Sequence, residues 1–362
     1  MSSISQDPFD RRHAFHQNAI SGTTAQERRR RLALDAQKLR RTHAIEAARN
    51  TSRDLMGLED LSFGSASESE PEPESTPVPP TRAPSSTRKN PNKRTAGPHK
   101  PTFKSWAKNL LSYAETLDLT EGTLPADLDS AWRMSVVPVG KRCLAATTTD
   151  TNGKNTILYS RVAGRALGRF HSSLPGDCLL DVIWDKAQSI LWVLDTCKWR
   201  GQYIVECEAD FRAFFTISKL SELDLQCYYS DDNNDSIDST GRGGGRPLLI
   251  LPCPTYSAPL TSQVLAPILS SLSNPSHLTI STIDYRDRRR TRQVTVEMRS
   301  SGVLLYVREA HYESGSTPLV NWVPCEEDAT LPDGGGGGGQ GDVNKLLKLV
   351  QSRVDDKDDM RD

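Results

Sequence analysis

The stretch CLLDVIWDKAQSILWVLDTCKW, residues 178–199, consists of two apolar runs separated by a short polar segment. Both runs are rich in Leu, Ile, Val and Trp, as expected of buried β-strands. The polar segment DKAQS between them predicts a hairpin connection. The stretch therefore predicts two neighbouring antiparallel strands.

Runs of the same kind precede and follow this hairpin. They are MSVVPVG, KRCLAATTT, TILYSRV, QYIVECEADFRAFF, RPLLILPCP, HLTISTIDYR, RQVTVEMRS and GVLLYVRE. Their spacing and the turn residues between them predict a largely antiparallel β-sheet with few helices. We therefore expect an α+β protein whose folded domain covers residues 102–330.

Helical or flexible segments are expected around this sheet. Residues 103–117 are predicted to form an amphipathic helix that packs on the sheet, because apolar residues recur there at helical spacing: Phe103, Trp106, Leu110, Ala114 and Leu117. Residues 230–246 and the run Gly335–Gly339 predict flexible loops. Residues 331–362 are expected to be a flexible tail with a short helix over 344–354.

The N-terminal part of the chain is expected to contain one long helix and a linker. Thr24 and Glu27 have the spacing of a capping box, and neither Gly nor Pro occurs from Thr23 to Arg53. This predicts a helix over residues 24–53 that is about 45 Å long. Residues 57–101 are rich in Ser, Pro, Glu, Lys and Arg, which predicts a disordered linker.

The cysteines and the termini restrict the compartment. The seven cysteines are scattered and form no CxxC pair, which argues against a zinc site or a disulfide framework and favours a reducing environment. The first twenty residues lack the apolar core of a signal peptide, and no run is long enough to cross a bilayer. We expect a nuclear or cytosolic protein without a membrane partner.

The predicted N-terminal helix is strongly basic. Residues 24–53 contain three acidic residues and nine basic ones, namely Arg28, Arg29, Arg30, Arg31, Lys38, Arg40, Arg41, Arg49 and Arg53. The apolar stripe of Leu32, Ala36 and Leu39 is too thin to hold the helix on a core. Two interpretations remain open: a solvated or nucleic-acid-binding helix, and a helix that folds into an acidic groove of a partner.

Six tryptophans are present, and one of them has an unusual setting. Five lie in periodic runs where a core position is expected, whereas Trp322 follows a Gly-Ser-Thr-Pro turn that favours a ring placed for stacking. Basic residues occur in nearby loops: Lys141, Arg142, Arg161, Arg165 and Arg200. A stacking tryptophan and arginines for phosphates suit a nucleotide or an RNA 5′ end, and a cationic methylated guanine adds a cation–π attraction.

Several motifs occur in a characteristic order, namely ERRRRL, PVGKR, RFHSSLPG, VLDTCKWRG, DFRAFF, SKL and HYESGSTPLVNW. In these motifs, over residues 24–53 and 102–325, the chain resembles the snurportin family of nuclear import adaptors for spliceosomal small nuclear ribonucleoproteins. Family members shuttle between nucleus and cytoplasm.

The resemblance implies two binding regions. Residues 1–56 would be an importin-β-binding region, with contacts from Arg28, Arg29, Arg30, Arg31, Lys38, Arg40 and Arg41. The folded domain would bind the 2,2,7-trimethylguanosine cap of small nuclear RNA on a fold similar to the nucleotide-binding domain of mRNA guanylyltransferases. The family's extreme N-terminus also takes part in binding exportin-1, but MSSISQDPF shows little apolar spacing, so this role is assigned to no residue here.

The resemblance also implies site residues. The family's tryptophan after GSTPLV stacks the methylated base, and its phosphate-binding lysine falls at Arg161, so Trp322 and Arg161 take these roles. Ser112 matches the serine of a Leu-Ser-Glu-Trp segment and Tyr113 follows it, but the second stacking tryptophan of that segment is missing. Discrimination for a cap followed by a further nucleotide is therefore expected to be reduced. Lys141 and Arg142 complete the predicted set.

The alternatives to an adaptor are a nucleotidyltransferase and a general RNA-binding protein. Nucleotidyltransferases of this fold use a Lys-x-Asp-Gly nucleophile motif, but the sole Asp-Gly pair here is Asp333-Gly334, and Ser301 stands where the enzymes have a metal-binding aspartate. We therefore expect neither catalysis nor a metal or other cofactor. The second alternative is a general RNA 5′-end-binding protein whose basic helix contacts RNA.

Overall fold

The structure is a computed structural model that describes residues 23–59, 104–149, 155–229, 246–283, 291–325 and 342–359. The expectations for residues 1–22, 60–101, 230–245 and 335–339 lie outside these ranges. Within the described parts of the chain, every helix is too short or too polar to span a membrane.

Five helices and a 3-10 turn accompany the sheets in the described residues. The helices are α1 (Thr23–Glu59), α2 (Leu128–Ala131), α3 (Ala209–Ser221), α4 (Ser262–Ser271) and α5 (Asp342–Asp359), and the 3-10 turn is Ser105–Ala107. The strands are β1 (Ser112–Thr116), β2 (Trp132–Pro138), β3 (Lys141–Thr147), β4 (Thr156–Ser160), β5 (Ala166–His171), β6 (Leu179–Asp185), β7 (Ile190–Trp199), β8 (Gln202–Tyr203), β9 (Gln226–Tyr229), β10 (Arg246–Pro252), β11 (Thr255–Tyr256), β12 (Ser276–Ile283), β13 (Thr291–Met298), β14 (Ser300–Val307) and β15 (Gly315–Pro324).

The strands form two large sheets and a separate hairpin. One sheet has the order β1-β15-β14-β2-β11, and the other has the order β10-β9-β5-β4-β3-β6-β7-β8. Because β10 also pairs with β7, the second sheet nearly closes into a barrel. All pairs are antiparallel except β1–β15 and β7–β10. The predicted α+β fold with a largely antiparallel sheet is therefore confirmed.

The hairpin predicted over residues 178–199 is confirmed as β6 and β7, whose register ends with Asp185 opposite Ile190. Strand β7 is buried along nearly its whole length. Helix α3 covers it, as shown by the Thr196–Thr216 hydroxyl contact of 2.8 Å. A strand whose two faces are both covered consists of a continuous apolar run, which explains the pattern in the sequence.

The amphipathic helix predicted over residues 103–117 is wrong in the described part of that range, which forms the 3-10 turn and strand β1 instead. Asn109 between them has φ +57°, a left-handed conformation that interrupts any helix. Residues Ser112–Thr116 then pair with β15. Apolar residues three or four apart fitted a helix, but over so short a segment the backbone bonds offered by β15 prevail over periodicity.

The C-terminal segment is only partly as expected. The predicted helix over residues 344–354 is confirmed and extends over Asp342–Asp359. The expectation of a flexible tail is wrong for this helix, because Val343, Leu346 and Val350 are buried in the main core. An i, i+3, i+7 spacing of apolar residues on α5 explains why one face of the helix packs inward.

The basic N-terminal helix is confirmed and is longer than predicted, since α1 extends from Thr23 to Glu59 and so includes the first residues assigned to the linker. The described residues divide into two compact units. The first contains α1 up to Gln37 together with the residues from Lys104 onward, and the second contains α1 from Lys38.

Candidate functional site

Three of the predicted cap-site residues lie together where the two large sheets approach each other. Ser112 and Tyr113 begin β1 of the five-stranded sheet, and Arg161 directly follows β4 of the eight-stranded sheet. The guanidinium carbon of Arg161 lies 3.9 Å from the centroid of the Tyr113 ring. Arg161 is only 2% exposed, so this cation–π contact is largely shielded from water.

Trp322 lies on β15, the strand that pairs with β1 on one side and with β14 on the other. Thr116 of β1 and Leu304 of β14 are its partners in the two registers. Its ring is 3% exposed and belongs to the main core. A Cβ atom built on Gly302 of β14 would lie 2.6 Å from Cη2 of Trp322, so the indole packs directly against this glycine. Thr116, by contrast, is exposed. Trp322 therefore lies at the margin of the core, one strand away from solvent.

The exposure of two tryptophans is the reverse of what the sequence predicted. Trp106, expected in a helical core stripe, is 47% exposed, whereas Trp322, expected after a turn with its ring placed for stacking, is buried. Trp106 packs edge-on against Tyr159 with ring centroids 5.2 Å apart. The turn residues before Trp322 misled the prediction, because Gly315–Pro324 is a continuous strand with neighbours on both sides.

Arg142 is committed to a buried ion pair. Its Nε and Nη2 atoms donate hydrogen bonds of 2.9 and 2.5 Å to the two carboxylate oxygens of Asp181. The side chains are 4% and 0% exposed, and the pairing with Asp181 outweighs burial and raises the pKa of Arg142. Arg142 therefore holds the sheet together, and we do not retain it as a phosphate ligand. Lys141 beside it is exposed at the start of β3.

The sequence reasoning missed Asp181 and Tyr312. Tyr312 Oη donates to Asp181 Oδ2 over 3.0 Å and accepts the backbone N–H of Ser112 over 3.0 Å. A signal was present, since Asp181 and Asp195 interrupt the apolar runs of residues 178–199. A carboxylate inside a buried strand must find a cation or several donors, so each aspartate predicts a buried partner.

Asp195 has such a partner in Arg212 of α3. Arg212 Nη2 lies 3.0 Å from Asp195 Oδ2, with side-chain exposures of 2% and 1%. Arg212 Nη1 also donates to the carbonyl oxygens of Cys207 and Ala310 over 2.7 and 3.0 Å. This buried ion pair anchors the segment between β14 and β15, in which Tyr312 lies.

The first half of α1 packs on the folded domain beside this region. Gln26 Nε2 donates to Thr116 O over 2.9 Å, and Gln26 Oε1 accepts the N–H of Asp118 over 3.2 Å. Gln37 makes the same pair of bonds with the backbone of His311, at 3.4 and 2.9 Å. Ala33 and Leu34 pack on the core between these two contacts.

Arginines of the helix take part in this docking. Arg29 forms a 3.2 Å ion pair with Glu115. Arg30 is 6% exposed, lies over the ring of Trp132 at 5.0 Å and donates to Asn321 Oδ1 over 3.4 Å. Burial lowers the pKa of Arg30 although it remains a cation.

The expectation that α1 cannot pack on a core is therefore wrong for its first half. The predicted stripe is exposed, since Leu32 and Leu39 are each 60% exposed. The docked face is instead built from the apolar side chains of Ala33 and Leu34 and from two glutamines, Gln26 and Gln37, whose amides bind backbone groups. Hydropathy periodicity does not detect such a face, because most of its bonds are polar.

A second face of α1 remains exposed. Its basic members from the predicted importin-binding set are Arg28, Arg31, Lys38, Arg40 and Arg41. Arg31 forms a surface pair with Glu27 at 2.8 Å, a type of contact that contributes little to stability. The predicted basic set is thus divided between a docked face and an exposed face.

Among the described residues, no three His, Cys, Asp or Glu side chains converge as a metal-binding group would require. The seven cysteines are free thiols.

Comparison with protein families gives a match inside the folded domain. Residues 119–235 match the family model described as Snurportin1, m3G cap-binding domain. This segment contains Lys141, Arg142 and Arg161, whereas Ser112, Tyr113 and Trp322 lie outside it. The matched family is a family of non-enzymatic adaptors. The match supports a snurportin-1-like protein, and over residues 119–235 it supports cap binding of the type that serves nuclear import.

Proposed function

We propose that this protein is a nuclear import adaptor that binds the 2,2,7-trimethylguanosine cap of spliceosomal small nuclear ribonucleoproteins and links them to importin β. The observation that carries the proposal is the presence, in one chain, of a match to the Snurportin1 cap-binding domain and a basic helix with an exposed cationic face. An adaptor of this kind shuttles between cytoplasm and nucleus.

On the cap side, we assign the base to Trp322 and the phosphates to Arg161, with Ser112 and Tyr113 between them. The contact between Arg161 and Tyr113 and the pairing of β1 with β15 support one continuous site. The packing of Trp322 on Gly302 gives the indole a rigid support. The base would approach from the β1 side, where Thr116 is exposed, and displace the side chains that cover the ring.

On the helix side, the exposed arginines of α1 suit an acidic groove, because guanidinium groups bind carboxylates in a bidentate manner. A receptor that encloses the helix must also take Gln26, Arg30 and Gln37 away from the folded domain, where they are buried. Importin β binding would therefore include undocking of α1.

A titration of the full chain with cap analogues tests the cap assignment. We expect the trimethylguanosine cap dinucleotide to bind about tenfold more tightly than the 7-methylguanosine cap, because two more methyl groups are buried at ~0.8 kcal/mol each. Fluorescence of the tryptophans or calorimetry measures both constants. Equal binding of an uncapped RNA of the same sequence would favour a general RNA-binding protein instead.

A labelling experiment tests whether the chain transfers nucleotides. A nucleotidyltransferase forms a lysine-linked nucleotide that survives denaturation, which requires a neutral amine. Lys198 of the CKWRG motif donates to Asp177 over 2.8 Å, and this bond raises the pKa of Lys198, so its amine stays protonated. Incubation with radiolabelled GTP and magnesium should leave the denatured chain unlabelled. A stable label on Lys141 or Lys198 would contradict the adaptor function.

A further inference from the structure

Tyr312 makes a hydrogen-bonded connection between the two large sheets. Its hydroxyl group lies 3.0 Å from the backbone nitrogen of Ser112 and 3.0 Å from Oδ2 of Asp181. Asp181 in turn accepts two hydrogen bonds from Arg142. A chain of four groups therefore joins the first residue of β1, in the five-stranded sheet, to β6 and β3 of the eight-stranded sheet.

The chemistry of these four groups determines which of them donates and which accepts in each hydrogen bond. The Ser112 N–H can only donate, and the carboxylate of Asp181, paired with a guanidinium, can only accept. The Tyr312 hydroxyl must therefore give its proton to Asp181 and accept from Ser112. A group that donates to a carboxylate becomes a better acceptor, so the charge of the Asp181–Arg142 pair strengthens the bond to Ser112.

The backbone around Tyr312 is itself held by hydrogen bonds. The backbone N–H of Tyr312 donates to Val205 O over 2.9 Å, and Arg212 holds the carbonyl of Ala310 two residues earlier. Further bonds then tie the same segment to the residues before β1, since Gly315 N donates to Leu111 O over 3.1 Å and Ser314 Oγ to Leu110 O over 2.8 Å. The hydroxyl of Tyr312 is thus a fixed point against which β1 is placed.

We propose that Tyr312 is a positioning residue for the phosphate side of the cap site. By holding Ser112, it sets where the next residue, Tyr113, meets the guanidinium of Arg161, which follows a strand of the other sheet. This inference rests on the proposed cap-binding function. Tyr312 does not touch the ligand and acts through Ser112 and Tyr113.

The variant Tyr312→Phe tests this role, because it removes the hydroxyl and keeps the ring. The full chain is titrated with the trimethylguanosine cap dinucleotide, which carries the triphosphate, and with the trimethylguanosine nucleoside, which does not. We expect the variant to bind the dinucleotide about tenfold more weakly, because Ser112 loses the acceptor that holds it and Tyr113 no longer meets Arg161 at the same place. Its affinity for the nucleoside, which reaches only Trp322, should be unchanged.

Two further measurements separate positioning from general destabilisation. Amide hydrogen exchange should become faster at Ser112 in Tyr312→Phe. The matched control Tyr256→Phe also removes a tyrosine hydroxyl and should preserve both affinities and the exchange at Ser112, because Tyr256 lies on β11, at the edge of the five-stranded sheet opposite β1.

The outcomes distinguish the inference from the function on which it rests. If the unmodified chain binds no cap analogue, the proposed function is wrong and the role of Tyr312 falls with it. If the unmodified chain binds but Tyr312→Phe binds the dinucleotide equally well, or loses affinity for both ligands to the same degree, only the positioning role is overturned.

Discussion

Replacing both Arg28 and Arg31 by glutamate should reduce the affinity for importin β roughly a thousandfold and leave cap binding unchanged. A charge-assisted hydrogen bond that an arginine makes inside an acidic groove of its partner contributes about 2 kcal/mol, so the loss of two such arginines costs about 4 kcal/mol. Both side chains are exposed on α1, and Arg31 pairs with Glu27 of the same helix. Pull-down or calorimetry with importin β measures the loss, and a cap titration verifies the unchanged site.

The choice of these two arginines follows from the docking of the helix. Reversal of Arg29 or Arg30 would also break the contacts with Glu115 and Asn321, so an effect on importin binding would be mixed with an effect on docking. A matched control reverses Arg299 and Lys348, which are exposed basic residues elsewhere on the domain. Normal importin β binding by the Arg28 and Arg31 variant, or an equal loss in the control, would eliminate the import role of the helix.

Replacing Trp322 by alanine should destabilise the folded domain by about 3–5 kcal/mol, as expected for truncating a fully packed tryptophan. The ring is 3% exposed and packs against Gly302, so its removal leaves a cavity in the main core. Cap binding should be lost as well, but this loss alone does not identify a stacking residue. Thermal unfolding of the full chain measures the change in stability.

The variant Trp322→Phe separates stacking from packing. Phenylalanine keeps an aromatic ring in the core but stacks more weakly on a cationic base, which should weaken cap binding by about 1 kcal/mol. Trp192→Phe is the matched control, since Trp192 is 1% exposed and lies on β7 of the eight-stranded sheet. If both variants bind the cap as tightly as the unmodified chain, Trp322 is a core residue and the base lies elsewhere.

Much of the architecture was predictable from the sequence because the relevant signals are local. The run from residue 178 to 199 encodes two buried strands and their turn, and the structure has them as β6 and β7. The absence of Gly and Pro from Thr23 to Arg53 favours helix α1, which begins at Thr23 and therefore includes the predicted N-cap residue Thr24. The motifs around PVGKR and DTCKWRG lie within the segment that matches the cap-binding family. Local propensity and short motifs depend only on residues that are close together in the sequence.

The candidate site was predictable only as a set of residue types. Tyr113 and Arg161, two of the predicted site residues, are in contact although they lie far apart in the sequence, and their role in one site stays a prediction. Arg142 had the same basic character in the sequence as Arg161, yet Asp181 engages it completely. A charge in a sequence does not reveal which partner will neutralise it.

Other features were decided by the tertiary structure alone. Residues 112–116 became a strand because β15 offered them backbone partners, and Trp322 became buried because its ring packs against Gly302 in the main core. Helix α1 docks through Gln26 and Gln37, whose amides bind backbone groups at Thr116 and His311. The sequence alone determined which segments could form strands and helices, since those preferences act over a few residues. Pairing, burial and polar docking depend on groups brought together from distant parts of the chain, so only the folded structure decides them.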